Sequence, residues 1–428
     1  MGRLLALSAC VVVSVAEALR YGPSWRRGPV RSPRLRGAGG AASGEWDLVL
    51  FSPAKVNLFL RVLRKREDGF HELASLFQAV DLGDTLSFAE LGGGEGEDDV
   101  LLCDAPGCPL DPGQELGNST SLRRGCFRGS AREESINALS SPREMIARPK
   151  MSQNEWEPTE IRASEVGQRL TLFLPRLDPS NLVLRAVSLY RSKVRGRGVD
   201  VPPLKILLEK RTPIQAGLGG GSSNAATALY AANELCGRAA SDAELIEWSG
   251  DLGSDVTFFL GPTGSCYCTG RGEVLEPVGA VASDGDVFIV KPEMGLSTPL
   301  VFKTLADADY ATLRRDRDPR DLLDAFAAPG ATPLADYVND LEPPAFACEP
   351  QLERLKAKLL EPPYAFHAAM MSGSGTSLFA VATAGTALDK DAFKANFEAD
   401  AKADLGVDVT VWRTTFAKRE AGSWYAHP

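Results

Sequence analysis

Histidine is scarce in this chain, with three in 428 residues, at positions 71, 367 and 427. The eight cysteines do not compensate for that scarcity. Cys103 and Cys108 sit in a stretch without periodicity. Cys266 and Cys268 form a C-x-C on an expected strand, facing one side as small apolar groups. No zinc-type ligand spacing results, and no metal-ligating residues are assigned. Basic charge is also in deficit: 47 Lys and Arg face 56 Asp and Glu, for a net charge of −9. Residues 1–44 carry seven Arg against Glu17 alone, a local +6 that leaves −15 on the remainder. So acidic a body argues against nucleic acid as the main partner. Beyond Leu19 no run approaches the ~18 apolar residues of a membrane span, so no membrane association is expected of the mature chain. Internal repeats are absent.

What is present begins with an unusual N-terminus. Leu4 to Leu19 is almost wholly apolar or small, and Arg20 to Gly44 is rich in Arg and Gly without an acidic residue. A signal-like stretch followed by a transit-like one suggests a bipartite leader over 1–45 and delivery to a plastid stroma. From about Leu91 to Gly167 the hydrophobic pattern collapses, as expected of a loop insertion or a disordered segment. Elsewhere strands and helices interleave: Leu170 to Leu174, the helical Asn181 to Arg191, the strand Val287 to Val290, the helical Gln351 to Leu360 and the strand Leu378 to Val381. This mixture points to an α+β protein of two lobes.

The densest signal is Pro213-Ile-Gln-Ala-Gly-Leu-Gly-Gly-Gly-Ser-Ser-Asn-Ala-Ala226. Leu204, Ile206 and Leu208 alternate into it as a half-buried strand, and an Ala/Leu-rich helix is expected from Asn224 to Leu235, before Gly237. Gly217, Gly219, Gly220 and Gly221 would let backbone N–H groups approach an anion with no Cβ in the way. Ser222 and Ser223 would cap the helix, whose N-terminus favours negative charge. The segment reads as a phosphate cradle. It lacks the Gly-Lys-Ser/Thr of a Walker loop and the βαβ setting of a dinucleotide fingerprint.

In Ser52-Pro-Ala-Lys-Val-Asn-Leu-Phe-Leu-Arg-Val62 the even positions Val56, Leu58, Leu60 and Val62 are all apolar and should form one buried face. Lys55 and Asn57 then share the opposite face, roughly 6 to 7 Å apart. Asp255 enters an apolar run after a turn, where it is either a hydroxyl-orienting base or a helix cap. Phe70 and His71, in Asp68-Gly-Phe-His-Glu72, could stack on and hydrogen-bond a base or simply pack. A second glycine turn, Met371-Ser-Gly-Ser-Gly-Thr376, either approaches a ligand or folds the strand.

In this order the pieces resemble the GHMP kinase superfamily. Three of its motifs are matched by Ser52 to Asn57, by Gly217 to Ala226 and by Met371 to Gly375. The segments Asp68 to Glu72, Leu252 to Val256, Thr269-Gly-Arg-Gly-Glu273 and Asn339-Asp-Leu-Glu342 resemble the branch acting on a cytidyl diphosphate methylerythritol. The resemblance implies a ribosomal protein S5-like ATP-binding domain over 46–266 and a ferredoxin-like substrate domain over 267–428. It also implies a small-molecule kinase that uses ATP and Mg²⁺ on a hydroxyl. By the same resemblance Asp255 is the base and Lys55 its partner, Gly217, Leu218, Gly219, Gly220, Gly221, Ser222 and Ser223 hold ATP, and Asn57, Phe70, His71, Phe302 and Thr376 contact substrate. Homoserine and mevalonate kinases, and a catalytically silent relative, share the glycine turns. Phe70 stands where the branch commonly has Tyr, and Ser254 where it has Ala.

Overall fold

The computed structural model describes residues 46–91, 99–104, 181–279, 281, 285–307, 317–328, 330–382 and 389–417. The expected leader, the expected strand Leu170 to Leu174 and most of the expected insertion lie outside those residues. β1 (Leu48–Lys65) and β2 (His71–Glu90) form a long antiparallel hairpin. Asp68 closes its turn by accepting the Phe70 N–H at 3.0 Å, and Gly69 takes the left-handed φ of 83° that the turn needs.

β2 organises the first sheet, because its 20 residues are long enough to pair with three strands. Its first part pairs with β5 (Ser265–Gly270) and its last with β4 (Leu204–Glu209), while β1 runs along nearly all of it. β6 (Val274–Pro277) extends the β5 side. β3 (Val100–Asp104) lies parallel to β4, with Val100 opposite Lys205. The start of the seemingly patternless stretch is therefore a strand. Five residues on a sheet edge are too short for a period to emerge, and pairing with β4 supplies what local sequence does not.

α1 (Leu182–Val194) is capped by the Asn181 side chain and buries Val183, Ala186, Val187, Tyr190 and Val194 at helical spacing. α2 (Gly220–Leu235) packs beside it in the same hydrophobic cluster as Leu86, Phe88 and Ile206 of the sheet. α3 (Asp242–Ser249) starts on a Ser241/Glu244 capping box, and α4 (Ser254–Leu260) follows after a short turn.

The second sheet contains β7 (Val287–Pro292), β8 (Ala368–Met371), β9 (Leu378–Val381) and β10 (Val409–Thr414), all antiparallel, in the order β10-β7-β9-β8. Counted within the lobe this is 4-1-3-2, the ferredoxin-like order. Between β7 and β8 come α5 (Thr298–Asp307), α6 (Pro319–Ala327), α7 (Glu342–Cys348) and α8 (Pro350–Leu360); α9 (Phe393–Leu405) precedes β10. A third cluster joins the lobes, with Val56, Leu58, Leu76 and Val80 packed with Ile289, Met370 and Phe379. The expected domain boundary at 266/267 falls inside β5. The chain leaves the first sheet after Pro277 and enters the second at Val287, and we place the lobe boundary there.

Candidate active site

The face of β1 that carries Lys55 and Asn57 is not exposed. Both residues are buried, and so are all the apolar positions from Val56 to Val62. The strict alternation expected there is broken by a bulge, since Asn57 faces Phe77 while Phe59 faces Leu76, leaving Leu58 as the extra residue. Buried polar groups need partners, and these have them. Lys55 Nζ donates to Asn57 Oδ1 at 2.8 Å, stands 4.4 Å from the centre of the Phe77 ring and lies 3.8 Å from Asp255 Oδ2. An amide oxygen, an aromatic face and a carboxylate thus surround one ammonium.

Asp255 comes from a different element, the first turn of α4, so it is a helix residue and not the cap, which is Gly253. Its side chain keeps 35% exposure, so an incoming hydroxyl can reach the carboxylate. The gap of 3.8 Å to Lys55 leaves room for a shared oxygen.

The glycine cradle lies against the same lysine. Lys55 N–H donates to Leu218 O at 2.9 Å, while the Leu218 side chain is part of the core. Here the structure corrects the sequence reading in two respects. The helix begins at Gly220, not Asn224, with left-handed Gly219 (φ 68°) as its cap. Ser222 and Ser223 therefore sit inside the first turn and cap nothing; the Ser223 hydroxyl is instead hydrogen-bonded to Ser52 Oγ at 2.8 Å, whose own proton goes to Asn224 Oδ1 at 2.8 Å. Nor are all four glycines there to admit a ligand. A Cβ on Gly217 would lie 2.1 Å from Ser372 O, one on Gly219 3.1 Å from Lys55 Cγ, and one on Gly220 2.9 Å from Thr212 Cγ2. Those three make room for protein. Only Gly221, exposed and with Leu182 Cδ1 at 3.9 Å as its nearest neighbour, opens onto free space.

The second glycine turn closes on the first. Ser372 Oγ donates to Gly217 O at 2.9 Å, and a Cβ on Gly373 would sit 3.5 Å from Asn57 Oδ1. Thr376, fully buried, donates its hydroxyl to Met294 O at 3.0 Å. Asn339 holds this turn with two bonds of 2.8 Å, to Met371 O and Gly373 O, and Asp340 takes the Val62 N–H at 2.8 Å. Glu342 accepts the Met371 N–H at 2.9 Å, and burial pushes its carboxyl up even beside Lys356. The Asn339 to Glu342 segment is thus a buckle between β1 and the second turn, a role that sequence reasoning missed.

Asp84 was missed as well. It is fully buried, accepts the Arg211 and Thr212 N–H groups at 2.8 and 2.7 Å, and pairs with Lys210, fixing the turn that leads into the cradle. An Asp in Asp81-Leu-Gly-Asp84 reads locally as an ordinary turn residue and gives no sequence signal of this. Asp84→Ala would strand the Lys210 ammonium and two amides, and should lower stability by roughly 3–5 kcal/mol, read as a shift of the urea midpoint.

The expected base-binding residues lie at the hairpin tip. Phe70 is 54% exposed, with the Arg271 guanidinium 5.1 Å from its ring centre. His71 is stacked on Phe302, with centroids 4.9 Å apart and planes 27° from parallel. The Thr269 to Glu273 turn links this tip to the acid, because Gly272 approaches both Ser254 and Phe77. Burial, with Lys65 adding to it, holds His71 below its ordinary 6.5. The unfolded chain then binds the extra proton first, so this contribution to stability is complete above about pH 6.5 and declines as the pH falls toward the folded value. Urea midpoints measured across that range should drop with acid, and His71→Gln should remove part of the slope.

Burial pushes the Cys266 thiol up to about 12, and Cys268 shifts the same way, so both serve as neutral core groups.

Comparison with known proteins agrees with this geometry. Residues 181–261 match the model of the GHMP kinases N terminal domain and residues 317–399 that of the GHMP kinases C terminal domain. The chain is 34% identical to the chloroplastic 4-diphosphocytidyl-2-C-methyl-D-erythritol kinase of Mentha piperita, over 89% of this chain and 73% of that protein. It is 35% identical to the 4-diphosphocytidyl-2-C-methyl-D-erythritol kinase of Protochlamydia amoebophila, over 82% of this chain and 90% of that one. A crystal structure of a 4-(cytidine 5'-diphospho)-2C-methyl-D-erythritol kinase shares the fold, with a TM-score of 0.55 at 24% identity, covering 87% of this chain and all of the other. The chain belongs to the 4-diphosphocytidyl-2-C-methyl-D-erythritol kinase family of GHMP kinases.

Proposed function

We propose that this chain transfers the γ-phosphoryl group of ATP to the 2-hydroxyl of 4-diphosphocytidyl-2-C-methyl-D-erythritol, a step of the non-mevalonate route to isoprenoid precursors. The observation that carries the proposal is the Lys55–Asp255 pair, 3.8 Å apart and built against the start of α2. The first amides of that helix have no upstream carbonyl to bond, and the first intrahelical bond is Ser223 N–H to Gly219 O. Free space over Gly221 supports this reading, since a phosphate bound there would have its oxygens within reach of those amides. Gly217 to Ser223 form the ATP site in this sense, most of it through backbone.

ATP supplies the transferred phosphoryl group, and Mg²⁺ offsets its charge. A Mg²⁺ ion would be held chiefly by the phosphate oxygens and water, leaving the Asp255 carboxylate for the hydroxyl proton. Asp255 takes the hydroxyl proton as the oxygen attacks phosphorus. Lys55, anchored by Asn57 and Phe77, lies beside the same oxygen and stabilises charge on it. Asn57, its amide bonded at both ends, and the fully buried Thr376 brace the site from behind and do not reach the polyol as the sequence reading expected, while Phe70, His71 and Phe302 supply the platform for the cytosine. The names of the plant relatives support a plastid location, with residues 1–45 as leader.

Steady-state rates with the cytidyl substrate, homoserine and mevalonate test the proposal. The cytidyl substrate should have the highest kcat/KM, and a preference for either of the others would overturn it.

A further inference from the structure

We propose that Ser75 is a positioning residue, whose single proton fixes the Asn57 amide and, through it, the Lys55 ammonium. This rests on the kinase activity proposed above. Ser75 is buried on β2, next to the bulge at Leu58. Its Oγ donates to Phe59 O at 2.6 Å, just past that bulge, and receives Asn57 Nδ2 at 2.8 Å. A hydroxyl has one proton. Once it is given to Phe59 O, only the oxygen lone pairs remain for Asn57, so the amide must present its NH₂ to Ser75.

The other end of the amide is then determined. Asn57 Oδ1 points at Lys55 Nζ, 2.8 Å away. With the amide turned over, an NH₂ would face an NH₃⁺, and both buried bonds would be lost. The direction of one hydroxyl thus propagates along Phe59 O, Ser75, Asn57 and Lys55 to a point 3.8 Å from Asp255. The bulge belongs to the device, since it breaks the alternation of β1 between Asn57 and Phe59 at the point where Ser75 bridges them.

Removing the hydroxyl leaves the Asn57 NH₂ unsatisfied and the amide free to turn. Ser75→Ala should lower kcat about tenfold, the scale of one buried hydrogen bond, with the KM for ATP unchanged. Ser75→Thr, which keeps the proton and the lone pairs, should retain most of kcat. The decisive experiment is a double-mutant cycle with Asn57→Ala. If Ser75 acts through Asn57, the double variant is no slower than Asn57→Ala alone. Additive losses, an undiminished kcat in Ser75→Ala, or a Thr variant as slow as the Ala one would each overturn the proposal. Ser75→Cys, close in volume and only a weak acceptor, replaces Ala in the cycle if Ala does not fold. The cycle is read with whichever alcohol the wild-type protein phosphorylates, so failure of the cytidyl substrate and failure of the Ser75 relay are separate results.

Discussion

Asp255→Asn should reduce kcat by roughly 10²–10⁴-fold, the usual contribution of a positioned general base, while ATP affinity stays within a few-fold. The expectation follows from where Asp255 stands. It is held on α4 and Lys55 on β1, and of the pair only the carboxylate is substantially open, at 35% against 5% for the lysine side chain. The amide is nearly isosteric with the carboxylate, so the turn at Gly253 and the packing of Val256, Phe258 and Phe259 should survive. What is lost is the proton acceptor and the counter-charge to Lys55. Both act most strongly when the hydroxyl is becoming an alkoxide, so kcat and kcat/KM should fall together. A loss confined to KM would make Asp255 a binding residue only.

Gly217→Ala should be the most disruptive single change in the cradle. Gly217 has a φ of 72°, and its Cβ would fall 2.1 Å from Ser372 O, a backbone atom that can move only if the whole second turn moves. The bond from Ser372 Oγ to Gly217 O would break, and the loosened turn would withdraw from Asn57. Strain of this kind amounts to about 1–3 kcal/mol before the lost contacts are counted. Less soluble protein, a lower urea midpoint and weakened ATP binding are expected together. Gly221→Ala should behave in the opposite way. Its Cβ meets nothing closer than 3.9 Å, and Ala favours a helix over Gly by roughly 1 kcal/mol, so the free protein should be at least as stable as wild type. Its KM for ATP should nonetheless rise, because the methyl group occupies the space proposed for phosphate. Equal behaviour of the two variants would show that the glycines share one role.

The contrast between these glycines also marks the limit of what is legible in sequence. The cluster Gly217 to Gly221 announces a backbone doing something unusual, but not whether a ligand or a neighbouring turn needs the room. That depends on Met371 to Thr376, some 150 residues away. Lys55 poses the same difficulty. Alternation along β1 gives the side it shares with Asn57, yet its burial depends on Phe77, on α4 and on the glycine loop packing over it. The bulge at Leu58 is invisible for a related reason, since β1 and β2 are both apolar enough to pair in more than one register and tertiary contacts select one. Strongly periodic pieces emerge well: β4, the end of α2, most of α1 though not the capping role of Asn181, and the division into two lobes. Residues that act by holding others are harder to find: Asp84 and Ser75 carry no periodic or motif signal, and the motif around Asn339 marks the family without revealing what the side chain holds. Their effect lies in hydrogen bonds to distant backbone.

A single spectrum tests the central assignment most directly. The protein is incubated with ATP, Mg²⁺ and 4-diphosphocytidyl-2-C-methyl-D-erythritol and followed by ³¹P NMR. A new phosphomonoester resonance should grow, with the cytidyl diphosphate signals retained and ADP formed in equal amount. ADP formed with inorganic phosphate and no new monoester, or breakdown of the cytidyl diphosphate itself, would contradict it.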